Sequence, residues 1–102
     1  MNGNFRERVE KLMSQVPLGQ VTTYGDLAAF AGQAQAARAI GGIAHFGDID
    51  LPWHRLVNRN GGLASGYHGG REAQAMALRQ EGVTCTDFTV DEFQEKRWNP
   101  YR

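Results

Sequence analysis

The chain has 102 residues, the length of one ordinary domain, and we expect a single domain over residues 1–102. Its 41% of hydrophobic and 22% of charged residues are typical of a globular protein and argue against a wholly disordered chain. Eleven basic residues balance eleven acidic ones, which excludes a uniformly basic DNA coat but leaves room for a local basic face. Nine of the eleven basic residues are arginines, whose side chains suit planar, bidentate contacts. A genomic preference for arginine would explain this number equally well.

The sequence also suggests a compartment. The single cysteine, Cys85, cannot form an internal disulfide, which indicates a reducing environment. No apolar run approaches the roughly 20 residues of a membrane span, and the N-terminus lacks the apolar core of a signal peptide. We therefore expect a cytoplasmic protein with no membrane partner.

The first predicted element is a helix from about Asn4 to Val16, ended by Pro17 and Gly19. Its apolar residues recur at helical spacing and form one stripe. They are Phe5, Val9, Leu12, Met13 and Val16. This stripe predicts ordinary core packing.

The second segment, residues 21–46, has a helix-turn-helix pattern. Thr23 and Asp26 resemble a capping box with Asp in place of Glu, and they open a short helix over about 24–31 that Gly32 ends. A second helix, rich in small residues, is predicted over about 34–44. Two short helices joined by glycine are typical of DNA-binding domains, but they also occur in many other helical domains.

The third segment, residues 47–70, is irregular. Residues 53–55 place an indole, an imidazole and a guanidinium side by side, Leu56 and Val57 could begin a strand, and Asn60-Gly61 is a turn signal. Five glycines between Gly61 and Gly70 predict a loop whose backbone can approach a ligand closely; a flexible hairpin is the alternative.

A fourth segment begins with a helix from about Arg71 to Glu81, with Gly82 in the C-cap position. On one side we place Ala73, Met76, Ala77 and Gln80, with Leu78 on the flank. The tail that follows has alternating apolar residues and then Phe93, Trp98 and Tyr101, so we expect it to pack against the body.

The sequence contains few residues for metal or nucleophilic chemistry. The soft or borderline metal ligands are His45, His54, His68 and Cys85, and their spacing matches no zinc motif. No phosphate-binding glycine motif is present, so we expect neither a metal nor another cofactor. The neighbours of His54 are Trp53 and Arg55, neither of which is a nucleophile. A couple between His54 and Glu81 is conceivable once the chain folds.

These residues carry a family resemblance. Residues 52–57, Pro-Trp-His-Arg-Leu-Val, resemble the Pro-Cys-His-Arg-Val-Val signature of the O6-alkylguanine-DNA alkyltransferases, with Trp53 in place of the cysteine nucleophile. Further matches cover about residues 4–85: the approach to the first DNA-binding helix, the recognition helix, the substrate loop and the Glu-Gly after the last helix. They lie at residues 16–24, 36–42, 66–70 and 80–82. The replacement of the cysteine by tryptophan, together with a short C-terminal extension over residues 85–102, resembles the pattern of the alkyltransferase-like proteins.

The resemblance implies a mostly helical fold with a small β-hairpin or wing, a winged helix-turn-helix-like alkyltransferase C-terminal domain. It implies binding to double-stranded DNA and rotation of O6-alkylguanine into a pocket. Tyr24 would press on the 3′ phosphate, and Arg38 would enter the stack through the minor groove. Small Ala36, Ala37 and Gly41 would let the helix approach the DNA backbone; they would also allow close packing against another helix, and both roles can hold.

The resemblance also implies a lesion pocket. Its residues would be Trp53, His54, Arg55, Tyr67, His68, Gly69 and Glu81. His54 and Glu81 match the pair that tunes the thiolate in the transferases, so without a thiolate we expect no alkyl transfer. We expect His54 to remain as a structural hydrogen-bonding residue. Cys85 lies far from the signature. His68 replaces a serine of the family, and residues 44–50 are shorter than in the family and lack its asparagine hinge.

Such a protein would mark the lesion for nucleotide excision repair proteins. We expect it to act as a monomer and to be associated with the nucleoid when it is bound to DNA. The charged tail from Thr86 to Arg102 could be the face that a repair protein contacts, or a packed cap with a solvated surface. Two other functions remain open. One is a sequence-specific helix-turn-helix regulator, which would bind a palindrome as a dimer. The other is a hydrolase or glycosylase that uses His54 and Glu81 with bound water.

Overall fold

A computed structural model describes residues 3–101. The fold is mostly helical with two small sheets, as predicted. The α-helices are α1 (Phe5–Gln15), α2 (Tyr24–Phe30), α3 (Ala37–Phe46), α4 (Gly70–Gln80) and α5 (Phe93–Lys96). The strands are β1 (Thr22–Thr23), β2 (Leu56–Val57), β3 (Cys85–Thr86) and β4 (Thr89–Val90), and single 3-10 turns cover Ala34–Ala36 and Trp53–Arg55. Within residues 3–101, no helix is long and apolar enough to cross a membrane.

Helix α1 begins at a complete capping box. The side chain of Asn4 accepts a hydrogen bond from the Glu7 amide at 2.8 Å, and the Glu7 carboxylate accepts one from the Asn4 amide at 3.3 Å. Val9 and Met13, from the predicted stripe, are fully buried against α2 and α3. The predicted helix is confirmed to within a residue at each end.

The helix-turn-helix is present, with two differences from the prediction. The Thr23 hydroxyl oxygen caps α2 by accepting a 3.0 Å hydrogen bond from the Asp26 amide. The Asp26 carboxylate does not complete a capping box, because it pairs with Arg97 instead. Gly32 takes a left-handed φ of 93° after α2, as the C-terminal signal predicts. The second helix begins with a 3-10 turn at residues 34–36, which has no capping side chain, and α3 then extends to Phe46.

The sheets place the signature segment beside the helix-turn-helix. Strand β2 lies parallel to β1, with Thr22 opposite Leu56 and Thr23 opposite Val57. The antiparallel hairpin is β3–β4, in the tail, with a turn in which both central residues are left-handed. The glycine-rich segment therefore forms no hairpin of its own; it turns at Gly61 and then bridges to the tail through Gly62 and Thr89.

The tail packs on the body as predicted for two of the three aromatic residues at its end. Phe93 and Trp98 are buried, whereas Tyr101 is exposed and contacts the edge of Phe30. Trp98 joins the cluster around α1, α2 and α3, while Phe93 joins a second cluster that contains Val57 and Leu78. The extension is thus part of both cores.

The predicted orientation of α4 is wrong. Met76 is 65% exposed, and the buried residues are Gln74 and Leu78. The Gln74 amide accepts a bond from the Ala64 amide at 2.8 Å and donates to the carbonyls of His54 and Leu56 at 3.1 and 2.8 Å. A buried glutamine whose amide is fully bonded takes the inward position, and an apolar periodicity cannot reveal it.

Candidate nucleic-acid interface

A cavity of about 300 Å³ lies between the start of α2, the middle of α3 and the signature segment. This volume is at the lower end of the range for small-molecule sites, about 300–1,000 Å³. The cavity is lined by Tyr24, Gly41, Ala44, His45, Trp53, Leu56, Ala64, Gly66, Tyr67 and His68. Of the predicted lesion-pocket residues, Trp53, Tyr67 and His68 line it.

Trp53 forms a fixed part of the wall. Its side chain is almost fully buried, and its indole Nε1 donates a 2.8 Å hydrogen bond to the Asp48 carbonyl. A Cβ on Gly47 would lie only 3.0 Å from the indole Cζ2, so the chain passes close to the ring. The short segment 44–50, to which the sequence assigned no role, therefore anchors the tryptophan.

His54, Arg55 and Glu81 form a hydrogen-bonded group behind this wall. The Glu81 carboxylate accepts bonds from His54 Nε2 at 2.8 Å and from Arg55 Nε and Nη2 at 2.9 and 2.7 Å, and Arg55 Nη1 donates to the Val16 carbonyl at 2.7 Å. The contact between His54 and Glu81 is confirmed. The Arg55 hydrogen bonds hold the pKa of Glu81 below its ordinary value, against the opposing effect of burial, and His54 adds to the lowering.

These three residues are not among those that line the cavity, and their place in the lesion pocket stays a prediction. Residues 53–55 form a 3-10 turn, in which successive side chains point about 120° apart. Trp53 consequently faces the cavity while His54 and Arg55 reach the end of α4.

Gly69 also lies outside the cavity lining. It precedes α4 with a left-handed φ of 94°, and a Cβ there would come within 2.8 Å of the Ala73 Cβ. The glycine is explained by this backbone conformation and close contact.

Two histidines stand at the cavity mouth. The rings of His45 and His68 are nearly parallel, with centroids 5.5 Å apart, and both side chains are exposed. His68 was predicted here; His45 was missed because it lies in the segment where the family pattern is not followed. Among residues 3–101, no three His, Cys, Asp or Glu side chains form a group that could hold a metal ion.

A second concavity of about 680 Å³ adjoins the cavity, and we call it the arginine groove. It is lined by Thr23, Tyr24, Gly25, Asp26, Ala37, Arg38, Gly41, Asn58, Arg59 and Arg97. Tyr24 and Gly41 line both concavities, which are therefore neighbours. Tyr24 is half-buried, and burial raises the pKa of its hydroxyl, which stays protonated at neutral pH.

Four of the five predicted DNA-binding residues line the arginine groove. Arg38 is exposed near the start of α3, beside Ala37. Ala36 is the exception, because it ends the 3-10 turn before α3. Sequence reasoning missed Arg59 and Arg97, which the folded chain brings to the same groove from the loop after β2 and from the tail.

Comparison with known proteins identifies the family. Residues 4–83 match the family model described as 6-O-methylguanine DNA methyltransferase, DNA binding domain. The chain is 40% identical over 99 residues to the DNA base-flipping protein of Escherichia coli K12, covering 94% of this chain and 75% of that one. It is also 41% identical over 80 residues to the methylated-DNA–protein-cysteine methyltransferase of Salmonella typhimurium, of which it spans 46%.

A solved structure agrees over nearly the whole chain. Schizosaccharomyces pombe Atl1, crystallised with damaged DNA containing O6-carboxymethylguanine, matches with a TM-score of 0.80 and 28% identity, covering 94% of this chain and 95% of Atl1. The match confirms the predicted fold and extends through the tail. The chain therefore belongs to the alkyltransferase-like proteins, within the family of 6-O-methylguanine DNA methyltransferase DNA-binding domains.

Proposed function

We propose that this protein is a non-enzymatic sensor of DNA damage. It binds duplex DNA, rotates O6-alkylguanine into the cavity beside Trp53 and leaves the alkyl group in place. The observation that carries the proposal is the buried indole of Trp53, which forms the cavity wall at the signature position of the cysteine nucleophile. An indole offers only an N–H donor, and here that donor is bonded to the Asp48 carbonyl.

Cys85 is a poor substitute for the missing nucleophile. It lines a separate concavity that also contains Met76 and Phe88. Burial, with a smaller effect of Asp91, raises the pKa of its thiol, which disfavours the reactive thiolate.

The two neighbouring concavities suit nucleotide rotation. DNA held along the arginine groove would present a rotated base to the cavity past Tyr24, which borders both. Extrusion of a base costs a few kcal/mol and least for a damaged pair. An O6-alkyl group removes the guanine N1 proton and weakens pairing, so the lesion is extruded more easily. Exposed Arg38 can then occupy the vacated place in the stack.

The geometry favours this proposal over the two alternatives. A general base is most effective with a pKa near the working pH, whereas the pKa of Glu81 is lowered and its carboxylate is engaged by Arg55 and His54 away from the cavity. A sequence-reading helix needs several base-contacting side chains, but the neighbours of Arg38 are Ala37 and Ala39.

A protein that holds a lesion without repairing it needs another system to remove it. We propose that the complex, a single-domain monomer on DNA in the cytoplasm, marks the lesion for nucleotide excision repair proteins. The exposed acidic residues of the tail, among them Glu92 and Glu95, offer a surface for such a partner.

A binding titration tests the proposal. Two fluorescent duplexes, identical except for one O6-methylguanine, are titrated by anisotropy at one stated salt concentration. We expect tighter binding to the lesion, a smaller preference in Arg38→Ala and Tyr24→Ala, and no change in Arg79→Ala, whose residue lies outside both concavities. Equal affinity for both duplexes would favour the sequence-specific regulator instead.

A further inference from the structure

The tail holds Arg97 at a defined position. Val21, just before β1, donates from its amide to the Lys96 carbonyl at 2.9 Å, and its own carbonyl accepts from the Trp98 amide at 2.8 Å. These two bonds enclose Arg97 in a parallel bridge with Val21, and the buried Trp98 anchors the next position. The backbone of Arg97 is therefore fixed, although it lies beyond the residues that the family model matches.

Asp26 orients the Arg97 side chain. Its carboxylate accepts from Arg97 Nε at 2.7 Å and from Nη2 at 2.8 Å, a bidentate pair between residues 71 positions apart. Arg97 is 40% exposed on its side chain, and Asp26 18%. A guanidinium has five N–H donors in a fixed plane, so a pair that uses two of them leaves three for another acceptor.

Arg97 lines the arginine groove together with Arg38 and Arg59. Three arginines and one aspartate leave the groove with a net positive charge. DNA phosphates are the acceptors that such a groove suits, because arginine binds phosphate through planar, charge-assisted hydrogen bonds. On the proposed function, we infer that Arg97 binds a backbone phosphate of the DNA in the arginine groove, with Asp26 as the positioning residue.

The salt dependence of binding distinguishes this role from a merely structural one. The logarithm of the affinity falls linearly with the logarithm of the salt concentration, and each phosphate contact makes this slope steeper by about 0.9. One contact therefore strengthens binding about eightfold when the salt concentration falls from about 1 M to about 0.1 M. A contact that only holds the tail in place would leave this slope unchanged.

Two substitutions at the same position form the test. Arg97→Gln removes the charge, whereas Arg97→Lys keeps a charge that can meet a phosphate but loses the bidentate pair with Asp26. Both lose the planar ion pair, so their thermal melting temperatures should fall by similar small amounts. Arg79→Gln, an exposed arginine outside the groove, is the control for net charge.

We expect Arg97→Gln to bind both the lesion duplex and the unmodified duplex about eightfold more weakly at about 0.1 M salt, with a slope lower by about 0.9. Arg97→Lys and Arg79→Gln should keep the wild-type slope. An unchanged slope in Arg97→Gln, with lesion preference intact in the wild type, would overturn this inference alone. If the wild type binds DNA without preferring the lesion, the sensor function is overturned but the phosphate contact of Arg97 is not. If the wild type binds no DNA, both the sensor function and the phosphate contact are overturned.

Discussion

Replacement of Glu81 by alanine should be among the most destabilising single changes in this protein. The carboxylate accepts three hydrogen bonds, and the side chains of Glu81 and Arg55 are only 13% and 14% exposed. Without it, the Arg55 guanidinium keeps only its bond to the Val16 carbonyl. Removing one partner of a buried pair costs about 3–5 kcal/mol, and the residual exposure places the loss near the lower limit, at ~3 kcal/mol.

A loss of that size is easily measured. For a domain of about 100 residues it lowers the melting temperature by roughly 12–24 °C, at about 4–8 °C per kcal/mol. Urea unfolding, followed by tryptophan fluorescence, gives the free energy directly. Glu81→Gln is the matched variant: it keeps an acceptor of the same shape but no charge, so it should fall between the wild type and Glu81→Ala.

The pH dependence follows from the lowered pKa of Glu81. Since the folded-state pKa lies below the ordinary value of 4.5, this group stabilises the fold fully above that value, and the contribution is lost as pH falls through the folded-state pKa. The wild type should therefore lose stability relative to Glu81→Gln only below about pH 4.5.

The Glu81→Ala variant also gives the result that would refute this reasoning. A decrease of less than ~1 kcal/mol in its free energy of unfolding, the value of an exposed ion pair, would show that the buried group contributes little.

Three further predictions concern packing, the cavity and a helix cap. Gln74→Leu should lower the free energy of unfolding by about 2–4 kcal/mol, because it leaves the buried Ala64 amide and the Leu56 carbonyl without their hydrogen bonds. Met76→Gln, on the exposed face of α4, should lower it by less than about 0.5 kcal/mol. Equal effects in urea unfolding would contradict the observed orientation of α4. Trp53→Ala should lower the preference for an O6-methylguanine duplex while the affinity for unmodified DNA is retained. It should also lower the free energy of unfolding by about 3–5 kcal/mol. An unchanged preference would show that Trp53 does not belong to the lesion pocket. Thr23→Ala should cost ~1 kcal/mol by removing the cap of α2, and Thr23→Ser should restore it; a neutral Thr23→Ala would show that the cap does not matter.

The sequence predicted the local features of the fold well because each rests on a few neighbouring residues. Asn4 and Glu7 specify the start of α1, Thr23 specifies the start of α2, and Gly82 ends α4 with a φ of 84°. The hydrogen bond between His54 and Glu81 was reachable only because the family resemblance places both residues, which are 27 positions apart.

The features that the sequence missed depend on partners far along the chain. Gln74 is inward because it meets the carbonyls of residues 54 and 56, and Asp26 leaves its expected capping role because Arg97 lies within reach. The 3-10 turn that directs His54 and Arg55 away from the cavity has no signal in composition or periodicity. The structure shows Trp53 at the cavity and His54 and Arg55 turned toward Glu81, so the place of these two residues in the lesion pocket stays a prediction, whereas the signature itself was correctly identified.

The fate of the alkyl group tests the central claim most directly. The protein is mixed with a duplex that contains one O6-methylguanine, the bound fraction is isolated, and both the intact protein mass and the recovered base are measured. The account predicts a stable complex, an unchanged protein mass and intact O6-methylguanine. A protein that has gained a methyl group, or a duplex that has lost the methyl group or the base, would contradict it and make the chain an enzyme.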